Sequence, residues 1–347
     1  MVIMGSIREV AQLAGVSPTT VSMVLNHKSE AGISAATRKR VFAAADELGY
    51  RPNPYARALV GSKAPLVKLV SRPHEMYIGN LKASSLLSEL RCTGREIMVT
   101  DSVSGSERIV DSLLWGHPEA VVFQYVSNAD RLAEVYRALD AEDVHCIVAD
   151  CWELPDPELP CDAVTVDRFA GVALGIEHLI ERGHRRIGLV AAENQFGRRE
   201  AYEHTLAGHD IPDRYLASFT PAEAAAGRTR ESAVAVSAGE AAEDLLREHP
   251  SITALMCGSD MIALGAMKAA AACGRRIPDD LALVGFHGEP WTELLPIPLT
   301  TVTEPVAEMC AVATEILCAR LGGDSRPWVR ARVTPHLLMR QSSEEGS

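Results

Sequence analysis

The chain has 347 residues, of which 47% are hydrophobic and 23% are charged, a composition typical of a soluble globular protein with two or three domains. Its formal net charge is −12, and no run of about 18 apolar residues occurs, which excludes a membrane-spanning helix. The first ten residues lack a basic segment followed by an apolar one, so the sequence predicts a cytoplasmic protein.

The charge is divided unevenly along the chain. Residues 1–63 contain eight Lys and Arg side chains and four Asp and Glu side chains, so this segment carries +4 and the remainder carries −16. A small basic end on an acidic protein is typical of a segment that binds nucleic acid. The eight cysteines form no C-x-x-C pair and most lie in apolar runs, which predicts buried free thiols in a reducing compartment.

The first predicted elements are two short helices joined by a tight turn. Ser6 and Glu9 form a capping-box pattern at the start of the first helix, and Gly15 suits the left-handed conformation that ends it. In "GVSPTTVSMVLN", Ser17 caps the second helix and Pro18 takes its first position, where a missing N–H is no loss. The pair predicts a helix-turn-helix.

The second helix buries Val21 and either Val24 or Leu25, and its outer face is polar. Short polar side chains on an exposed helix reach base edges in a major groove, so this face is a candidate DNA-reading surface. Any pair of packed antiparallel helices has the same pattern, and from this stretch alone both interpretations stay open. The polar face consists of Thr19, Thr20, Ser22, Met23 and Asn26.

Two further helices are predicted in the basic segment. One begins at Ser34 and carries the cations of residues 38–40 near its start, where they are either a solvated charge run or phosphate contacts. The other begins at Asn53 and Pro54 and ends near Gly61. A helix this short is marginal alone because nucleation is costly, so we expect it to form only when it is packed or docked.

Five segments in this order resemble the successive signature blocks of LacI/GalR-type transcriptional regulators. The resemblance implies a DNA-binding domain over residues 1–52, a hinge helix and linker over 53–63, and an effector-binding and dimerisation domain over 64–347. It implies an all-α helix-turn-helix domain followed by an α/β body that is periplasmic-binding-protein-like, with two doubly wound lobes. The segments are "SIREVAQLAGVSPTTVSMVLN", "ATRKRVFAAADELGYRPNPYARALVGSK", "VDRFAGVALGIEHLIERGHRRIGLV", "SDMIALGAMKAAAACGRRIPDDLALVGF" and "PLTTVTEPVAEM".

The resemblance also implies how the N-terminal segment meets DNA. The second helix, from Ser17 to about Asn26, would lie in the major groove, and a hinge helix over about residues 54–60 would enter the minor groove as a symmetric pair. Leu59 matches a leucine that wedges between base pairs and bends the duplex, although packing against the body is the alternative. The implied DNA-binding residues are Ser17, Pro18, Thr19, Thr20, Ser22, Met23, Asn26, Asn53, Tyr55, Ala56, Arg57 and Leu59.

The sequence departs from the family at Met23, where relatives often have arginine. Arginine can grip guanine by two hydrogen bonds, whereas methionine can contact only a thymine methyl group or a sugar. We therefore expect a half-site that differs from those of relatives, with Thr19 and Thr20 contributing most of the base reading.

Eight short apolar runs in the remainder suit buried parallel strands, and helical segments such as 171–183 and 261–274 lie between several of them. This alternation predicts α/β layers, with enough strands for two sheets of similar size. The resemblance implies three crossings between two lobes, near Val166–Arg168, within Glu289–Thr303 and after Arg326. The runs are "LVKLV", "EIMVT", "AVVFQ", "HCIVAD", "AVTVD", "RIGLVA", "ALMCGS" and "LALVGF".

The resemblance implies an effector cleft between the lobes, where strand ends meet. Arg198 matches an arginine that grips a ligand hydroxyl or carboxylate, and His287 and Gly288 stand where relatives usually have two aspartates. A carbohydrate or a derivative is the expected ligand, but these departures also fit a phosphorylated or carboxylated ligand, or a cleft without small-molecule control. The implied effector-binding residues are Tyr77, Arg198, Ser259, Asp260, His287 and Trp291.

Most of these residues have a structural interpretation as well. Tyr77 would be a buried core side chain, Arg198 a surface salt bridge, and Asp260 the N-cap of the helix that follows it. His287 would be a loop histidine with satisfied hydrogen bonds, and Trp291 would only close the cleft. From the sequence, both interpretations of each residue stay open.

The combined prediction is a regulator, most commonly a repressor in this family, that binds a near-palindromic double-stranded operator as a homodimer under the control of a small ligand. No G-x-S-x-G, P-loop or H-E-x-x-H pattern occurs, so we expect no enzymatic activity, no cofactor and no metal. A solute-binding protein for transport would share the body, but the basic N-terminal segment argues against it. Control by a protein partner stays open.

Overall fold

A computed structural model describes residues 6–25, 32–50, 64–71, 76–101, 109–126, 132–151, 154–195, 197–221 and 229–344. The chain divides into two compact units, Met1–Ala64 and Pro65–Ser347, which we call the head and the body.

The described residues of the head form three helices, α1 (Ile7–Ala14), α2 (Pro18–Leu25) and α3 (Ala35–Glu47). Its buried core consists only of valine and alanine side chains, so the three helices approach one another closely. A core this small leaves most of the surface of each helix outside it. The core residues are Val10, Ala11, Ala14, Val21, Val24, Val41, Ala44 and Ala45.

The predicted helix signals of α1 and α2 are confirmed, whereas the helix predicted from Asn53 and Pro54 lies outside the described residues. The Glu9 amide donates to Ser6 Oγ at 3.3 Å, and the Ser6 amide donates to Glu9 Oε2 at 2.6 Å, which completes the capping box. Gly15 has a φ of 65° and ends α1 in the left-handed conformation, which glycine adopts without strain. Ser17 Oγ accepts the Thr20 amide at 3.1 Å, so α2 begins where its sequence predicts.

The body alternates strands and helices. Its described residues also include the short 3-10 helices Arg91–Thr93, Pro290–Leu294 and Gln341–Ser343. In chain order the main elements are β1 (Leu66–Val70), α4 (Tyr77–Leu90), β2 (Glu96–Thr100), α5 (Ile109–Leu114), β3 (Ala120–Val126), α6 (Ala133–Ala141), β4 (His145–Cys151), β5 (Asp162–Val166), α7 (Arg168–Glu181), β6 (Ile187–Ala192), α8 (Arg198–Gly208), β7 (Tyr215–Phe219), α9 (Arg230–Glu248), β8 (Ala254–Cys257), α10 (Asp260–Ala272), β9 (Ala282–His287), β10 (Thr300–Thr303), α11 (Val306–Leu321), β11 (Arg330–Val333) and β12 (His336–Leu338).

The described strands form two sheets of similar size, as predicted, with six strands in each. The first sheet has the order β11-β5-β4-β3-β1-β2 with every pair parallel, and we call this sheet and the helices packed on it lobe N. The second has the order β12-β10-β9-β8-β6-β7, in which only β12 runs antiparallel to its neighbour, and we call this sheet and the helices packed on it lobe C.

Both lobes are doubly wound, as predicted, because each sheet has an apolar core on each of its two faces. In lobe N, α4 and α11 pack on one face and α5 and α6 on the other. In lobe C, α9 and α10 pack on one face and α7 and α8 on the other. Strands covered on both faces must be apolar throughout, and this explains why the sequence runs are continuous and do not alternate.

Two crossings lie where the sequence predicts them, and the third does not. The chain passes from β5 in lobe N to α7 in lobe C at residues 166–168, and from β11 back to β12 after Val333. The predicted crossing within Glu289–Thr303 is wrong, because β9 and β10 are neighbours in the same sheet. That crossing comes directly afterwards, between β10 and α11, so that Glu304 and Pro305 connect the lobes.

The cysteine prediction is confirmed for most of the thiols. All eight cysteines are free, and five of them are buried in the lobes. Cys92 and Cys318 are exposed, and Cys273 is half-buried.

Candidate DNA-binding helix and interlobe cleft

The outer face of α2 presents the side chains that the sequence assigned to it. Val21 and Val24 are buried, whereas Thr19 is exposed and the Met23 side chain is 44% exposed. Leu25 is half-buried against the head core. Burial of the valines turns the intervening positions outward, because residues three apart share one side of a helix.

The two threonines of this face differ in their surroundings. Thr20 Oγ1 lies 2.9 Å from Ser17 Oγ, and the Thr20 amide is bonded to the same hydroxyl, so this side chain belongs to the start of the helix. Thr19 is the more exposed of the two. The structure therefore separates a threonine tied into the helix cap from one that points outward.

Three consecutive basic residues of the head lie on α3. Lys39 and Arg40 are exposed, and Arg38 is half-buried. The remaining residues implied for DNA contact, in the loop after α2 and in the hinge segment, fall outside the described residues: Asn26, Asn53, Tyr55, Ala56, Arg57 and Leu59.

Four buried ionised side chains form a closed ring at the crossings between the lobes, and we call them the floor ring. Lys82 Nζ lies 2.9 Å from Asp150 Oδ2 and also contacts Glu304. Arg168 contacts Asp150, and its Nε lies 3.0 Å from Glu304 Oε1. All four side chains are 7% exposed or less. The ring joins helix α4 and strand β4 of lobe N to the residues that begin α7 and follow β10.

The two cations of the ring keep both of its carboxylates ionised. Burial alone would raise the pKa of Glu304 and of Asp150, because a charge is poorly solvated in the interior. Arg168 and Lys82 outweigh that effect and lower both pKa values below the ordinary range. Removing one member of such a buried set leaves an uncompensated charge, which destabilises a protein by about 3–5 kcal/mol.

Arg198 and His287 lie beside the floor ring. Arg198 begins α8, is 1% exposed, and stacks its guanidinium 3.7 Å from the ring centroid of Phe286. This burial excludes the surface salt bridge that the sequence also allowed. Cation–π stacking of this kind is favourable where water is excluded.

His287 ends β9 with a φ of 110°, a strained value for a side chain other than glycine. Burial, together with nearby Lys82 and Arg198, lowers the pKa of His287 to about 3, so the imidazole is neutral at pH 7. Its Nδ1 is buried and has no hydrogen-bond partner among the described residues, which contradicts the interpretation of a satisfied loop histidine. Strained backbone and an unused buried polar atom are common where a side chain meets a ligand.

The N-cap of α10 lies one residue earlier than the sequence suggested. Ser259 is the N-cap of α10, and its Oγ accepts the Ile262 amide at 3.2 Å. The N-cap interpretation of Asp260 is therefore wrong. Asp260 is fully buried, accepts from Thr301 Oγ1 at 2.5 Å, and accepts the Glu289 amide at 2.7 Å.

Glu289 is a second buried carboxylate at this edge of the cleft. It accepts the indole N–H of Trp291 at 2.7 Å and is 2% exposed. Burial raises the pKa of Asp260 to about 7, and burial followed by repulsion from Glu231 raises that of Glu289 to about 7. Half-buried Trp291 is held by this carboxylate at the loop that follows β9.

Tyr77 is 40% exposed at the start of α4, so the interpretation of a buried core tyrosine is wrong. Its backbone amide donates to Glu231 Oε1 of lobe C at 2.6 Å. The side chain of Tyr77 thus lies at the surface while its backbone touches the opposite lobe.

Sequence reasoning missed the floor ring and the carboxylates of Glu231 and Glu289. A signal for part of it was present: Asp150, Arg168 and Glu304 all come at, or one or two residues after, the carboxyl end of a buried strand. The carboxyl ends of parallel strands meet at one edge of a sheet, where ligand sites of α/β proteins form. Lys82 gives no such signal, because it lies in the middle of a helix.

Within the described residues, no group of three or more His, Cys, Asp or Glu side chains is arranged to hold a metal ion. In the same parts of the chain, every helix is too short or too polar to cross a bilayer.

Comparison with known families gives one match in the head and one in the body. Residues 6–53 match the family described as bacterial regulatory proteins, lacI family, and residues 176–343 match a periplasmic binding protein-like domain. The HTH-type transcriptional regulator CelR of Thermobifida fusca is 31% identical over 346 residues, covering 96% of both chains. The ribose operon repressor of Halalkalibacterium halodurans is 27% identical and covers 99% of this chain and 98% of its own.

Solved structures have the same fold. A transcriptional regulator CelR–cellobiose complex matches 98% of this chain and 100% of its own with a TM-score of 0.67 and 26% identity. A lac repressor dimer bound to operator and the anti-inducer ONPF matches 98% of this chain and 99% of its own with a TM-score of 0.77 and 24% identity, a likeness of fold.

A helix-turn-helix head and a two-lobed α/β body define a DNA-binding transcriptional regulator with a periplasmic-binding-protein-like body. With a relative 31% identical along nearly its whole length, the chain belongs to the LacI family of bacterial transcriptional regulators.

Proposed function

We propose that this regulator is a cytoplasmic repressor that binds a near-palindromic operator as a homodimer, and that a carbohydrate or carbohydrate derivative in the interlobe cleft controls the binding. The observation that carries the proposal is the presence of two separate polar surfaces in one chain. One is the exposed face of α2, and the other is the set of buried polar groups at the carboxyl ends of strands from both sheets. The proposal includes no catalytic step.

The outward face of α2 supports DNA reading by this helix. Thr19 and Met23 are exposed on one side of a helix that a small valine and alanine core holds from the other side. Residues 53–63 would form the hinge helix and linker between the DNA-binding domain and residues 64–347. Lys39 and Arg40 supply exposed cations for phosphate contacts, which position a head without selecting bases.

The cleft supports control by a polyhydroxylated ligand. The neutral His287 offers a buried ring nitrogen, and Arg198 offers a buried guanidinium beside it, a combination that suits hydroxyl groups. The resemblance adds Tyr77, Ser259, Asp260 and Trp291 as candidate contacts. A CelR structure carries cellobiose, and another relative is named for the ribose operon, so carbohydrates are the first ligands to test.

Strand β2 supports the homodimer. It is one of the two edge strands of the lobe N sheet, and its Val99 side chain is 54% exposed. An edge strand with exposed apolar side chains is a surface on which a second copy can pack. Two linked heads also raise the effective concentration of the second head once the first is bound, which a single small head requires at cellular ionic strength.

A thermal-shift screen tests the effector half of the proposal. Saturation at a hundred times the dissociation constant stabilises a protein by about 2.7 kcal/mol, which raises the melting temperature by several degrees. We expect a shift from at least one neutral sugar, sugar acid or sugar phosphate. His287→Ala should abolish that shift and leave DNA binding intact, whereas Thr19→Ala should keep the shift. A complete panel without a shift would contradict control by a carbohydrate.

A second candidate is a regulator of the same fold that answers to a protein partner or to no small effector. The floor ring favours it in one respect, because its four charges compensate one another without a ligand. In that case sequence-selective DNA binding would persist while every compound in the panel leaves both the melting temperature and the DNA affinity unchanged.

A further inference from the structure

Helix α4 of lobe N begins without a cap from its own N-cap residue. That residue is Met76, whose side chain makes no capping hydrogen bond. The first amides of a helix have no partner within the helix, and they carry the positive end of its dipole. The start of α4 therefore needs acceptors from elsewhere, and anionic acceptors suit it best.

Lobe C supplies two carboxylates to this helix start. The Tyr77 amide donates to Glu231 Oε1 at 2.6 Å, and the Glu289 carboxyl lies close enough to the Ile78 amide for that amide to lower its pKa. Glu231 lies in the first turn of α9 and Glu289 follows β9, so both carboxyl groups belong to the opposite lobe. The first amide of α4 is thus capped across the cleft by Glu231, and Glu289 faces the second.

Glu289 is held in place by its own lobe. Its carboxylate accepts the Trp291 indole N–H at 2.7 Å, and its backbone amide is fixed by Asp260 at 2.7 Å. Asp260 in turn is bonded to Thr301 of β10. A carboxylate braced in this way cannot follow α4 if lobe N moves away, so separation of the lobes breaks the contact.

The contact also differs in position from the floor ring. Lys82, the ring member on α4, lies five residues beyond Tyr77, about 7.5 Å along the helix axis. Arg168 and Glu304 of the ring lie at the crossings, where the chain itself keeps the lobes together. Glu231 and Glu289 do not lie at the crossings, so their contacts with α4 are lost when the lobes separate.

We propose that Glu231 and Glu289 form an interlobe latch that caps α4 only when the lobes are closed. Each carboxylate binds the closed form and loses its partner in the open form, which makes capping a part of the closure equilibrium. The consequence for DNA binding rests on the proposed function, in which closure of the cleft controls the heads. The latch itself depends only on contacts within the body.

In a partly buried setting, the charge of a carboxylate at the start of a helix contributes roughly a factor of five to ten in an equilibrium constant. Glutamine keeps an oxygen that can accept the amide but carries no charge. Glu231→Gln should therefore shift the lobes toward the open form by about that factor, and the double variant with Glu289→Gln should shift them further. Glu240→Gln is the matched control, since Glu240 is exposed on the same helix α9. Glu231 is half-buried at the surface, so its variant should fold even if a change at buried Glu289 proves disruptive.

Met76→Ser separates a latch from a merely structural cap. Serine at the N-cap can accept the Ile78 or Gly79 amide from within lobe N, so it competes with Glu289 for the start of α4 and weakens the gain on closure. We expect Met76→Ser to raise the melting temperature of Glu231→Gln protein while opening the lobes of otherwise wild-type protein. If the carboxylates only stabilise α4, Met76→Ser will restore stability and leave the lobes closed.

The measurement is the distance between two spin labels on full-length protein. The labels are placed at Glu142→Cys in lobe N and Lys268→Cys in lobe C, both exposed, after Cys92, Cys273 and Cys318 are replaced by serine. An excess of unlabelled protein isolates distances within one chain. Latch variants and Met76→Ser should increase the long-distance population about fivefold to tenfold, and Glu240→Gln should not. Unchanged distances in Glu231→Gln and in the double variant would overturn the latch.

The same proteins are then assayed on DNA selected by the wild type. A shift in distance accompanied by a change in DNA affinity supports both the latch and the coupling. A shift in distance with unchanged affinity leaves the latch standing and contradicts the proposed control of DNA binding by closure.

Discussion

The outer face of α2 and the floor of the cleft are both polar, and they are built in opposite ways. On α2 the side chains are neutral and short, and Thr19 and Met23 are exposed to solvent. On the cleft floor the side chains are long and ionised, and Lys82, Asp150 and Glu304 are almost completely buried. One surface leaves its polar groups available to a partner, whereas the other uses them to hold its own strands and crossings together.

The difference predicts which region tolerates change. An exposed polar side chain exchanges water for a partner, so its removal alters binding with little effect on folding. A buried charge exchanges water for a fixed counter-charge, so its removal alters folding first. Substitutions on α2 should thus affect DNA recognition, and substitutions in the floor ring should affect the stability of the body.

The largest expected effect is that of Glu304→Gln. Without this carboxylate, Lys82 and Arg168 share only Asp150, and we expect the free energy of unfolding to fall by about 3–5 kcal/mol. Urea unfolding followed by tryptophan fluorescence measures it, because all four tryptophans lie in the body.

Glu203→Gln is the control for this variant. Glu203 is paired with Arg199 on the surface of α8, where both side chains are well exposed, and such pairs contribute little. Equal urea midpoints for Glu304→Gln and Glu203→Gln would contradict the structural role of the floor ring.

A smaller effect is expected from Asp260→Asn, and it depends on pH. In the folded protein burial raises the pKa of Asp260 to about 7, above the ordinary value of 3.8, so the folded state binds the proton more tightly than the unfolded state. The stabilisation is present at low pH and is lost as the pH rises through 7. Asparagine does not ionise, so between pH 5 and 8 the variant should gain about 3 kcal/mol relative to wild type. Parallel curves of stability against pH would contradict buried ionisation at this site.

The smallest effect in free energy concerns the two threonines of α2. Thr19→Ala should reduce discrimination between the selected site and single-base variants by roughly fivefold, about 1 kcal/mol, without changing the stability of the head. Thr20→Ala should also lower the melting temperature of the head, because the Thr20 hydroxyl is bonded to the Ser17 cap. Competition binding on the two variants measures the difference. Equal changes in discrimination and in melting temperature for the two variants would contradict the difference between an exposed Thr19 and a Thr20 bonded to the helix cap.

The head could be predicted from sequence because its signals are local. Ser6, Glu9, Gly15 and Ser17 act on amides within three or four residues, and each does in the structure what the helix rules predict. The eight apolar runs predicted strands for the same reason, since burial on both faces of a sheet requires a continuous run. The DNA-binding roles and the domain limits stay predictions.

The rest depends on contacts between distant parts of the chain. The strands Tyr215–Phe219 and His336–Leu338 lie at sheet edges. An edge strand is paired on one side only, so its sequence need not be a continuous apolar run, and the apolar runs did not predict these two strands. Thr300–Thr303 is buried beside β9, although it consists mostly of threonine. Tyr77, Arg198 and Asp260 were each open to two interpretations, because burial is decided by residues far away in the sequence, such as Phe286 for Arg198 and Thr301 for Asp260. Lys82 meets Glu304 only after the chain has crossed between the lobes.

Selection of bound sequences from a random pool of duplex DNA by the full-length protein tests the central claim most directly. The account predicts enrichment of a near-palindromic site with two matching half-sites, and loss of that enrichment when Thr19 and Met23 are both replaced by alanine. Binding no tighter to any enriched sequence than to bulk competitor DNA, with and without the sugar panel, would contradict it.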